Sequence, residues 1–110
     1  MTNREIVRKY LRYFCAGDIE GLESVLATDL IFTGTFHSFA SANEYLASLR
    51  SNPPENCRYD ILSIMEDADS VALFYNYQKP DKAMRIAQLF KISDQKIMEI
   101  LLIFDGRENA

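Results

Sequence analysis

Two neutral hydrogen-bonding side chains sit where the sequence pattern otherwise carries apolar ones. Tyr10 falls in the stripe Val7, Tyr10, Leu11, Phe14, spaced i, i+3, i+4, i+7 and opposed by Arg8, Lys9 and Arg12. Gln88 falls in the alternating set Met84, Ile86, Gln88, Phe90, Ile92, with Arg85, Ala87, Leu89 and Lys91 on the other face. A phenol and an amide can each donate a hydrogen bond to a carbonyl or hydroxyl oxygen and so orient or polarise it. Each also has a packing role: Tyr10 as a core tyrosine with an ordinary partner, Gln88 as that partner or as the support of a buried water. Metal chemistry has little material, because Cys15, Cys57 and His37 fall short of the usual four structural zinc ligands. No Gly-rich turn that could cradle a phosphate is present, so no cofactor is expected. The two cysteines form no C-x-x-C, and reduced, packed thiols are expected in place of a disulfide framework.

The elements that must position these residues are legible in the pattern. Gly17 can end the first helix in a left-handed conformation and Asp18 can cap the next, whose stripe is Ile19, Leu22, Val25 and Leu26. Leu30 to Phe36, LIFTGTF, is β-rich and opens a strand, with Asp29 at its entry turn. Ser41 to Glu44 fits a capping box, and Ala42, Tyr45, Leu46 and Leu49 then give a short third helix stopped by Ser51 to Glu55. Four β-like segments follow, about 57–66, 70–78, 83–92 and 96–104, separated by Asp67 to Asp69, Lys79 to Lys82 and Ser93 to Gln95. Connections that short join antiparallel neighbours and leave no room for a parallel crossover. The fold class is therefore α+β.

Composition bounds the function. A chain of 110 residues, 48% hydrophobic and 25% charged, is expected to form one domain that buries roughly two thirds of its unfolded surface. No apolar run reaches the length of a membrane span, and MTNREIVRKY alternates charged with apolar residues instead of building a signal-peptide core, so a cytoplasmic location is expected. A net charge of −4 argues against nucleic acid as a partner. The basic residues at 4, 8, 9 and 12 are the solvated face of an amphipathic helix, and the run from Phe74 to Tyr77 is a core strand without an accompanying basic groove.

The run from Val7 to Phe32, VRKYLRYFCAGDIEGLESVLATDLIF, resembles the nuclear transport factor 2-like superfamily, and within it the ketosteroid-isomerase-like and SnoaL-like (polyketide-cyclase-like) proteins. The clearest part is helix, Ala-Gly-Asp corner, helix and strand, ending in ATDLIF; the likeness extends over nearly all of the chain. It implies a cystatin-like cone: a curved antiparallel sheet wrapped around N-terminal helices, with the first strand interrupting the three helices and a four-strand meander after them. Such a cone leaves a pocket lined by alternate strand residues. The family includes isomerases, dehydratases, cyclases, epoxide hydrolases and proteins that only bind partners, so activity must be argued from the site.

Strand alternation then assigns an inner face. Leu30, Phe32, Gly34 and Phe36 point inward on the first strand, with Thr33 and Thr35 outside; Val71, Leu73, Tyr75 and Tyr77 point inward on the strand from 70. Met98, Ile100, Leu102 and Phe104 do so on the last strand. The candidate pocket is Tyr10, Phe32, Tyr75, Gln88, Phe90, Ile100, Leu102 and Phe104. The resemblance implies that Tyr10 occupies the place of a ketosteroid isomerase's oxyanion-binding tyrosine, eight residues before Asp18. It puts Gln88, or Ala87 in an ungapped alignment, where those enzymes hold a protonated acid, and Gly34 where they hold the proton-shuttling aspartate. Glycine cannot be a base, so a base would have to come from His37 near the rim, Asp60, or the outward Glu99 and Asp105. The expected function is a small-molecule-binding domain for an apolar or weakly polar compound, with anions disfavoured because no Lys or Arg is assigned to the inner face. A lyase or isomerase acting on a small carbonyl or hydroxyl compound is one alternative. A non-catalytic dimerisation module is another, because Ile97, Leu101, Ile103, Leu89 and Phe74 would form an apolar outer face suited to a homodimer.

Overall fold

The structure, a computed structural model, describes residues 1–54 and 57–107. Helix α1 (Asn3–Ala16) starts at Thr2, whose hydroxyl accepts from the Glu5 amide, and ends at Gly17, whose φ of 68° is left-handed. Asp18 caps α2 (Ile19–Val25) by accepting from the Gly21 amide. The chain then enters β1 (Leu26–Thr33) at once, so Leu26 begins the strand instead of closing the helical stripe. A register shift between Leu26 and Ile31 absorbs the residues read as an entry turn. The two-residue strand β2 (Ser38–Phe39) pairs with β1 and is too short to leave a periodic signal. Helix α3 (Ala42–Ser51) opens with the capping box: Ser41 accepts from the Glu44 amide, and the Glu44 carboxylate accepts from Ala40 N at 2.8 Å. Its stop signal is seen as far as Pro54; Glu55 lies outside the described residues.

Strands β3 (Arg58–Asp67), β4 (Ser70–Gln78), β5 (Ala83–Ser93) and β6 (Lys96–Phe104) form the meander. Ala68, Asp94 and Gln95 take the positive φ that tight connections require. The six-stranded sheet has the order β2-β1-β6-β5-β4-β3. It is antiparallel except where β1 runs parallel to β6, a pairing reached through the whole intervening chain. Among the described residues, three helices and a curved, unclosed sheet make the α+β class that the sequence pattern gives and the cone that the resemblance implies.

Side chains on the concave face stack in rows across the strands. Val71, Phe90, Ile100 and Phe32 are in register and form the innermost row; Leu73, Gln88 and Leu102 form the next. Tyr75, Ile86 and Phe104 follow, and Tyr77 with Met84 is outermost. The buried face of α1, with Ile6, Val7, Tyr10 and Leu11, packs into this curve.

Three expectations are corrected. Lys91 pairs with Glu99 while Ile92 pairs with Ile97, so Met98 is an extra residue on β6. This bulge turns Ile97 inward, fully buried, and removes it from the outer face; Met98 loses the inward place that strict alternation gave it. Phe36 lies beyond the end of β1 and is 52% exposed, so strand alternation does not place it; it still lines the cavity and packs edge-on against Phe104 with ring centroids 5.5 Å apart. Cys15 near the end of α1 and Cys57 at the entry to β3 form a disulfide, with Cα atoms 5.1 Å apart, where reduced thiols were expected. A sequence separation of 42 hides that proximity, which exists only once α1 packs against β3.

Candidate functional site

Above the innermost row, α1, α3 and the concave sheet enclose a cavity of about 470 Å³. Its polar end is a hydrogen-bonded cluster of four side chains from four elements. Tyr10 on α1 and Tyr45 on α3 bring their hydroxyls to 2.5 Å, and Tyr75 on β4 donates to Gln88 Oε1 on β5 at 2.6 Å. The Tyr10 hydroxyl also interacts with the Gln88 side chain, which joins the two pairs. All four residues are at most 5% exposed. Helical spacing sets Tyr10 and strand alternation sets Tyr75 and Gln88; Tyr45 is fixed by stacking on Phe32 at 4.8 Å between centroids. Tyr10 is held by the edge of Phe90 at 5.3 Å.

The electrostatics of this cluster are those of neutral donors. Burial pushes the Tyr10 hydroxyl up to about 12, against the opposing effect of its hydrogen bonds to Tyr45 and Gln88. Burial also raises Tyr45 and Tyr75, so each phenol keeps its proton at neutral pH. Because Tyr75 donates to Oε1, the Gln88 amide directs its Nε2 hydrogens away from Tyr75. One hydroxyl of the Tyr10–Tyr45 pair donates and the other accepts, and both residues line the cavity with Gln88, where a ligand oxygen would meet the cluster.

Of the residues expected in the pocket, Tyr10, Phe32, Tyr75, Gln88, Leu102 and Phe104 line the cavity. Phe90 and Ile100 do not: they point inward but are fully buried in the innermost row, where α1 fills the cone and only the Phe32 end reaches the cavity. Tyr45 lines it without having been singled out, having been assigned only to an apolar helix stripe, and Tyr77, assigned to the inner face of its strand, lines it as well. A buried tyrosine's need for a partner is the signal that could have found Tyr45. Among the possible bases only His37 reaches the lining, on an exposed loop where its ring faces Phe39. Asp60 is exposed on β3, and Glu99 is in register with Lys91 on the outer face. Asp105 is exposed and bound by Arg107, which holds its carboxyl below the usual carboxylate range.

A family model described as "SnoaL-like domain" matches residues 7–100. The chain belongs to the SnoaL-like domain family. An NTF2-like protein of unknown function from Cytophaga hutchinsonii ATCC 33406 superposes with a TM-score of 0.86 at 16% identity, over 99% of this chain and 95% of that one. A putative ketosteroid isomerase from Kribbella flavida DSM 17836 does so at 0.81 and 17%, covering 93% and 76%. An LEH-like epoxide hydrolase from M. tuberculosis gives 0.79 and 17%, covering 92% and 80%. Identities this low establish the shared fold and nothing about chemistry. No curated protein sequence shows significant similarity to the chain.

Within this SnoaL-like cone, Gly34 lines the cavity and donates its amide to the His37 carbonyl at 2.8 Å. A Cβ added there would lie 3.0 Å from that carbonyl oxygen and 3.0 Å from the Phe32 ring. The position where the isomerase resemblance needs an aspartate thus has neither a carboxylate nor room to receive one unchanged.

Proposed function

We propose that this SnoaL-like protein binds a mostly apolar small molecule inside the cone, with one carbonyl or hydroxyl oxygen seated at Tyr10. The observation that carries the proposal is the Tyr45–Tyr10–Gln88–Tyr75 cluster at one end of an otherwise largely apolar cavity. Apolar walls supply affinity, and a few convergent donors fix orientation. The Gln88 amide is the second donor, and the end of the ligand seated there is uncharged, since no cation among the described residues lines that end.

A lyase or isomerase is less well supported. Tyr10 and Gln88 supply polarisation, but the described residues lining the cavity include no carboxylate, and their one imidazole, His37, stacks on Phe39 from an exposed loop. A steroid-isomerase assay should therefore detect no efficient turnover; robust activity in the purified protein would restore the enzymatic alternative.

Association into a homodimer through the outer sheet face belongs to the same proposal. Met65, Ala72, Leu89 and Leu101 form one row across that face, and Phe74, Ala87 and Ile103 the next. Phe74, Leu101, Ile103 and Met65 are between 36% and 56% exposed, the kind of contiguous patch that marks an interface. No helix among the described residues is long and apolar enough to cross a membrane. A cytoplasmic setting is compatible with the proposal in a dithiol form of the protein, because a reducing compartment opens bonds such as Cys15–Cys57.

The binding proposal is tested by calorimetric screening of small ketones and alcohols. Tyr10→Phe should weaken a ligand found this way by about 1 kcal/mol, the net value of a neutral hydrogen bond. Unchanged affinity in a folded Tyr10→Phe protein would remove Tyr10 from the site.

A further inference from the structure

We propose that the ligand carries a carboxylate at the end opposite its neutral oxygen, and that Lys79 receives it at the cavity mouth. This rests on the cavity being the binding site and extends that proposal to the ligand's outer end. The chain has 16 acidic and 12 basic residues, yet the described residues lining the cavity include no Asp or Glu. Their one lysine is Lys79, and they include no arginine. Lys79 follows the last residue of β4 and is held in the β4–β5 hairpin by its amide, which donates to the Lys82 carbonyl at 2.8 Å. A lysine at a hairpin is ordinarily extended into water. Here the side chain is half-buried, with Nζ 5.9 Å from the centroid of the Tyr77 ring, itself part of the cavity wall. The ammonium is thereby turned over the mouth.

The two ends of the cavity differ in kind. Neutral phenols and an amide form the inner end, where an anion would lose water without an opposing charge. At the mouth an ammonium stands beside apolar walls, where its field is screened less than on an open surface. One ammonium matches a single carboxylate better than a phosphate, which draws on several donors at once.

Register sets the length of the molecule. Gln88 pairs with Leu73 and Met84 with Tyr77, so the mouth row is four residues from the Gln88 row, about 13 Å at roughly 3.3 Å per residue. The class that fits is an oxo or hydroxy acid with an aromatic or alicyclic body long enough to span that distance.

The experiment is calorimetry with para-acetylphenylbutanoate, which has a ketone and a carboxylate at opposite ends, against its methyl ester and against the shorter para-acetylbenzoate. In the wild-type protein the long acid should bind about three- to tenfold tighter than its ester, the range between an exposed ion pair and a charge-assisted hydrogen bond. Added salt should shrink that preference. In Lys79→Met the long acid should fall to the affinity of the ester, and the short acid should gain nothing from Lys79. Equal binding of acid and ester by wild type, or a preference that survives Lys79→Met, overturns the inference. If Tyr10→Phe still weakens the ester in that case, the oxygen-binding proposal stands without the carboxylate. Failure of every probe to bind at millimolar concentration overturns both.

Discussion

Removing the Tyr10 hydroxyl should cost more stability than removing that of Tyr45, and removing both should cost less than the sum. The two hydroxyls are 2.5 Å apart and both residues are buried, but only Tyr10 also engages Gln88. Tyr10→Phe leaves the Tyr45 hydroxyl without its partner and loosens Gln88, which calls for about 2 kcal/mol from the cost of an unsatisfied buried polar group. Tyr45→Phe leaves Tyr10 with Gln88 and should cost about 1 kcal/mol. In the double variant no phenol of the pair is orphaned, so the loss should stay near 2 kcal/mol, a coupling of about 1 kcal/mol. The rings keep their contacts in all three variants, Tyr45 on Phe32 and Tyr10 against Phe90, so packing should cancel. Urea unfolding followed by circular dichroism gives the three values, and thermal midpoints should move by about 4 °C per kcal/mol for a domain near this size. Losses that add to within about 0.5 kcal/mol would show that the pair is not coupled and would refute the network as drawn.

Alkaline pH should destabilise the fold. Tyr10 is raised to about 12, so the unfolded chain releases its proton near pH 10 while the native state holds it; stability is full below pH 10 and is lost as pH rises towards 12. Phenolate absorbance should report that Tyr10, Tyr45 and Tyr75 ionise only as the protein unfolds, and their titration in the folded state would contradict their burial. Opening the Cys15–Cys57 bond should lower unfolding free energy by up to about 4 kcal/mol, the loop-entropy value for a separation of 42 residues. Identical urea midpoints with and without a dithiol reductant would rule out that contribution. Light scattering at micromolar concentration should show a species larger than the 12.7 kDa chain, shifted towards monomer by Leu101→Arg; a monomeric wild type would eliminate the sheet-face dimer.

Local rules in the sequence reached most of the scaffold. The Gly17–Asp18 corner, the capping box at Ser41 and the meander follow from backbone preferences acting within a few residues, as do the inward sets on β4 and β5. Period-two alternation needs no knowledge of partners, which is why Tyr75 and Gln88 could be assigned to one face in advance. It fails where a strand gains a residue: the bulge at Met98 follows from how β6 meets β5, and it sends Ile97 to the core.

Depth along the cone was equally out of reach. Phe90 and Gln88 share a face, but only the insertion of α1 decides that the first is floor and the second is wall. Pairings between distant segments belong wholly to the tertiary structure: Tyr10 with Tyr45 across 35 residues, Cys15 with Cys57 across 42, and β1 with β6 along nearly the whole chain. A sequence records which side chains turn to the same side of their own element. The partner each one meets depends on how helices dock on a curved sheet, a property of the packed whole in which contacts far apart in sequence form together.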